Sequence, residues 1–235
     1  MLIGQDYDKI QWNVFGLELV EPNTFIGDVI IFFVAIYFFF QIKRNYSKST
    51  FNINWMYFYL FFALGFGLGG FGHLFFNYTG VPGKYPAWFL GMVSSFFIER
   101  AMISIYPKVE KRKFFQQLVT AKLVLFFIAE AIVLSIFDID AKPERGLIVP
   151  TLNSVLGLGI ALGLLGAMYQ QKIHASFKYL WLGALIIVPS ALFQALKINP
   201  AQWFDRNDVS HVLLLLGLII YFKTIKGYEK KGLEN

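Results

Sequence analysis

The sequence contains no cysteine among its 235 residues. That excludes disulfides, a thiol nucleophile and any thiolate metal centre. Charge is also scarce. Only 15% of residues are Asp, Glu, Lys or Arg, where a soluble domain carries about a quarter. There is no glycine-rich phosphate loop, and no lysine lies within the last apolar stretch where a retinal Schiff base would form. Lys223 lies at that stretch's end. Histidine is limited to three residues, so any imidazole chemistry rests on few positions.

What the sequence has instead is apolar surface. Hydrophobic residues make up 57% and aromatics 19%, and they fall in long blocks. A bilayer core about 30 Å thick needs about 20 apolar residues to cross as helix. Seven stretches meet that pattern: Pro22 to Ile42, Ile53 to Asn77, Pro86 to Tyr106, Phe114 to Phe137, Leu147 to Tyr169, Phe177 to Ile198, and Asp208 to Phe222. The fold class expected is an all-α membrane protein, a seven-transmembrane-helix bundle. Residues 1–21 read as a polar arm, 22–223 as the helical domain and 224–235 as a basic tail. The arm has no basic n-region and no small-residue cleavage site, so it is not read as a removable signal peptide.

Orientation follows from Lys and Arg in the short loops. QIKRNYSKST, PKVEKRKF, QQKIHASFK and the tail are basic, whereas the arm sets Asp6, Asp8, Glu18 and Glu21 against Lys9 alone. The alternation places the N-terminus outside and the C-terminus in the cytoplasm. The net charge of +6 is then a topology signal and implies a membrane surface, not nucleic acid. A bacterial plasma membrane is the expected location, and membrane lipid the expected partner.

Ionisable side chains inside spans are costly and therefore candidates for function. Asp28, His73, Glu130 and His211 all fall in the outer half of their spans, as do Asn153, Ser154 and Gln194, while Asn207 lies four residues before His211. Gly65, Gly69 and His73 recur at every fourth residue, the small-residue spacing by which membrane helices approach closely. Thr24 and Asp28 share a face in the same way. Each residue also has a plainer explanation. A histidine can serve packing alone, Asn207 and Asp208 suit a helix N-terminus, and Lys122 can snorkel. Glu99 and Arg100, adjacent in sequence, cannot face each other on a helix and are expected to snorkel or meet loop charges. Pro189 is expected to kink the sixth helix.

Two histidines and a carboxylate, His73, His211 and Asp28, would suffice for a zinc ion with an open position for water. The metal would generate hydroxide, with Glu130 or Asp208 as base. The arrangement resembles the alkaline ceramidase and adiponectin-receptor (CREST) superfamily. The likeness lies in seven spans, a histidine late in the second, another early in the seventh, and the segment EPNTFIGDVIIF at the first. That resemblance implies a zinc-dependent hydrolase of an amide or ester bond in a lipid. In its pattern His73 and His211 match two histidine ligands, Gly69 stands at a serine position and Asn207 at a histidine position. No acidic residue occurs in LFFNYTGVPGKYP, where the family has an aspartate. The alternative is a non-catalytic bundle with a pocket for a lipid or small ligand. A transporter ranks third, since no inverted repeat is evident.

Overall fold

A computed structural model describes residues 1–234, with side chains described through Glu229. The described residues form four short strands and seven long helices: β1 (Leu2–Ile3), β2 (Gln11–Val14), β3 (Leu17–Val20), α1 (Pro22–Asn45), α2 (Thr50–Leu74), α3 (Tyr85–Ser104), α4 (Val109–Ile136), α5, α6 (Lys178–Ala195), β4 (Ile198–Asn199) and α7 (Arg206–Glu234). Helix α5 begins as Ile148–Leu158, passes through a π-helical stretch, Gly159–Leu165, and continues as Gly166–Lys172.

Six of these helices are long and apolar enough to cross a membrane. This is a helical, multi-pass membrane architecture. Helix α3 is not among the six, because its 20 residues include Ser94, Ser95, Glu99 and Arg100. The outward faces are apolar, with Phe33, Leu125, Val155 and Leu164 all more than half exposed. Such a continuous apolar exterior is costly in water but not in lipid.

The helices close into a ring. α2 lies between α1 and α3, α1 meets α7, α7 lies on α6, and α6 meets α5. α4 and α5 touch each other and both rest on α3. α4 is the most peripheral: 6% of its apolar window is buried, against 39% for α2. The core is aromatic. Trp55, Tyr59, Tyr169, Phe51 and Phe177 are fully buried, and Phe38 stacks on Phe222 with centroids 4.4 Å apart. Buried hydroxyls find carbonyls on neighbouring helices. Tyr59 donates to the Leu218 carbonyl at 3.0 Å and Tyr169 to that of Met102 at 2.7 Å.

Three features differ from expectation. The N-terminal arm is folded: β2 and β3 form a hairpin. Its two-residue turn, Phe15–Gly16, has positive φ at both positions, as a type I′ turn requires. β1 pairs with β4 in the α6–α7 connection, so the arm is laced onto the bundle. The expected tail is no tail, because α7 continues to Glu234. Its Glu229 carboxylate accepts from the Ser47 backbone N–H (2.7 Å), the Ser47 hydroxyl (3.1 Å) and the Asn52 amide (2.7 Å), tying the α1–α2 loop to the helix. Finally, Glu99 neither snorkels nor meets loop charges. It pairs with Lys122 of α4, with Nζ 2.9 Å from Oε1 and 2.7 Å from Oε2. Two charges that face each other within a bundle lose less by pairing than by reaching separately for water.

Candidate functional site

The end of the bundle carrying the hairpin holds a cavity of about 220 Å³, lined by Asp28, His73 and His211 together with Phe62, Phe66 and Trp88. Three of its remaining walls are glycines, Gly65 and Gly69 from α2 and Gly91 from α3. The four-residue spacing read from sequence therefore aims Gly65, Gly69 and His73 at one space.

Each histidine has one carboxylate. His73 Nδ1 lies 2.7 Å from Glu21 Oε2, and His211 Nε2 lies 3.1 Å from Asp28 Oδ1. Glu21 is placed by the last turn of the arm: it stands immediately before α1 with φ 52° and also bonds Lys9 at 3.1 Å. Lys84, in the α2–α3 connection, sits 3.4 Å from His73 Nδ1. Asp28 is reached by close helix approach. A side chain at Gly70 would come within 2.9 Å of Asp28 Cβ, and one at Gly27 would collide with the His211 ring. Phe66 meets that ring edge to face at 5.9 Å.

The charges at the cavity mouth bias one another. Burial pushes the Glu21 carboxyl up. The hydrogen bond and charge of His73, with Lys9 and Lys84, outweigh it and hold the group at about 2, from an ordinary 4.5. Burial pushes Lys84 below the usual lysine range, and Glu21 opposes that. A depressed carboxyl contributes stability that is complete above its unfolded value and disappears as pH falls through its folded one. Acidification from about pH 4.5 to about 2 is thus expected to remove about 3 kcal/mol of arm attachment. Trp12 lies against Trp203 with centroids 6.3 Å apart, so tryptophan fluorescence reports the release. Glu21→Gln is expected to flatten that transition, and an unchanged titration would contradict the assignment.

The other sequence-derived candidates lie elsewhere. Asp208 accepts from the Asn23 amide at 2.8 Å and from the Asp205 backbone N–H at 3.0 Å, so it organises the start of α7. Asn207 and Ser210 share the Gln194 amide at 3.1 Å each. Glu130 and Asn153 are fully buried on α4 and α5 but are not in the cavity wall. Ser154 is on α5 and also outside it. Sequence reasoning missed Glu21, which counted only as an arm charge. Its contact with His73 joins positions 52 apart, and no local pattern signals that.

In this arrangement the expected zinc ligands are engaged by other side chains. Asp28 Oδ1 is engaged by His211, the remaining nitrogen of His211 is buried against Gly27, and no three His, Asp or Glu side chains converge among the described residues.

Residues 23–230 match the family described as "Family of unknown function (DUF6962)". The chain belongs to that family. The match takes in part or all of each of the seven helices and so includes Asp28, His73 and His211, while the arm with Glu21 lies before it. No curated protein and no solved structure matches the chain.

Proposed function

We propose that this protein is a seven-span membrane protein, N-terminus outside, whose outward cavity binds a small polar ligand or the polar headgroup of a membrane-resident molecule. The observation that carries this reading is that His73 and His211, from different helices, each backed by a carboxylate, line one cavity. The basic loops at the opposite end support the orientation. The volume, about 220 Å³, equals roughly seven waters at liquid density. That suits a headgroup, not a whole lipid.

The site's chemistry also selects a class of ligand. A carboxylate only accepts hydrogen bonds, so His73 donates its Nδ1–H to Glu21. Asp28 Oδ2 has no protein partner and is a free acceptor. The cavity thus asks for a ligand that donates, such as a hydroxyl- or amine-bearing headgroup.

Mass spectrometry of the detergent-purified protein tests this. A donor-bearing lipid or polyol is expected to co-purify with wild type and with Ile132→Ala, which lies on the exposed face of α4, and to be lost from Asp28→Ala and His211→Ala. Absence of any such molecule from the wild type would overturn the reading. Stoichiometric zinc, lost from His73→Ala, would replace it with the lipid hydrolase that the superfamily resemblance implies.

A further inference from the structure

At the basic end of the bundle, opposite the histidine cavity, two lysines converge on one aromatic ring. Lys178 Nζ, from α6, lies 5.4 Å from the centroid of the Tyr179 ring, and Lys223 Nζ, from α7, lies 5.9 Å from it. Both lysines are exposed and Tyr179 is half-buried. The ring attracts each ammonium, but the two ammoniums repel each other. Neither lysine is in an ion pair among the described residues. The seam of α6 and α7 therefore ends in two cations that no carboxylate neutralises.

The lysines leave a fixed base. The turn Ala175–Phe177 leads into α6, and it is clasped to α7 by reciprocal hydrogen bonds. Ser176 Oγ donates to the Thr224 carbonyl at 3.2 Å, and Thr224 Oγ1 donates to the Ser176 carbonyl at 3.1 Å. Both residues are buried. Gly227 admits the turn, since a Cβ there would come within 2.6 Å of Ser176 Cβ. Lys178 follows Ser176 by two positions and Lys223 immediately precedes Thr224. The clasp thus sets the backbone from which both charged side chains depart.

Toward the bilayer the same helix faces are apolar. On α7, Ile219 and Leu216 stand four and seven residues before Lys223 and share its face, and both are exposed. On α6, Leu185 and Leu192 follow Lys178 at seven-residue steps and are exposed as well. Two apolar stripes therefore run up to the two ammoniums, beside a tyrosine, a residue enriched at the membrane–water interface. A free anion would use the charges alone. An anionic phospholipid uses both features, its phosphate between the lysines and its acyl chains along the stripes. We infer that the α6–α7 seam at the basic end is a binding site for an anionic phospholipid, separate from the histidine cavity.

Native mass spectrometry of the detergent-purified protein, with phosphatidylglycerol or phosphatidylcholine added, tests it. Wild type is expected to bind phosphatidylglycerol in preference to phosphatidylcholine. Lys178→Gln with Lys223→Gln is expected to weaken that binding about 30-fold, at about fivefold per lysine. Lys178→Arg with Lys223→Arg keeps both charges and is expected to retain it. Lys111→Gln with Lys113→Gln removes the same charge on α4, which packs on α3 and α5, and is expected to leave the binding unchanged. Equal binding of the two lipids overturns the site. Equal weakening by the two glutamine pairs also overturns it, because the attraction is then diffuse. Displacement of phosphatidylglycerol by equimolar inorganic phosphate overturns the lipid assignment in favour of a free anion.

Discussion

Replacing Glu99 by alanine is expected to destabilise the folded bundle by about 3–5 kcal/mol, the usual cost of stripping one partner from a buried ion pair. Both side chains are largely enclosed, Lys122 at 20% and Glu99 at 8% exposure, so the abandoned ammonium cannot be hydrated without moving α4. The contrast is the double variant Glu99→Met with Lys122→Met. It removes both charges, keeps the volume, and is expected to fall close to wild type or above it. Denaturant titration in mixed micelles reads both. A Glu99→Ala loss below about 1 kcal/mol would mean the pair is effectively solvated, as surface pairs are. The consequence for the fold is specific. α4 buries little else, with Val119 and Glu130 its only buried residues, so this ion pair is a main attachment of the least embedded helix.

The second large effect is expected at Gly183 in α6. A Cβ there would lie 2.5 Å from Tyr221 Cε1 and 2.9 Å from Cδ1, and Tyr221 is itself 3% exposed, so its ring has nowhere to go. Gly217 of α7 meets Ile187 of α6 in the same way. Membrane helices associate through such small-residue contacts because lipid supplies no hydrophobic drive between them. Gly183→Val is expected to cost about 2–3 kcal/mol, in the range of overpacked cores. Gly91→Ala, where nothing lies within 4 Å, is expected to be neutral or to stabilise by up to about 1 kcal/mol. Equal stability of the two variants would show that α6 and α7 have room to separate.

Local information made the helices legible. Apolar runs of bilayer length, basic loops between them and proline at helix starts are properties of short windows, and six helices match spans read that way. The helix-face argument for Gly65, Gly69 and His73 succeeded for the same reason: every fourth residue of one helix shares a face whatever surrounds it. It failed where the partner belonged to another element. Glu130 had the depth of the histidines yet lies outside their cavity, because depth along a helix says nothing of rotation about it. Asp208 had the right position for a base, but the loop before it folds back and engages its carboxylate. Glu99 was read as a snorkelling residue because Lys122 is a separate helix away.

The amino-acid pattern alone thus determines a helical membrane protein and the faces on which its few ionisable groups stand. Which of those faces meet is a matter of the ring order of seven helices and the docking of the arm. Those depend on contacts between distant positions, such as Glu21 with His73 and Asp28 with His211. Tertiary structure therefore decided that two histidines share a cavity, each with its own carboxylate, while Glu130 is enclosed apart from them on α4.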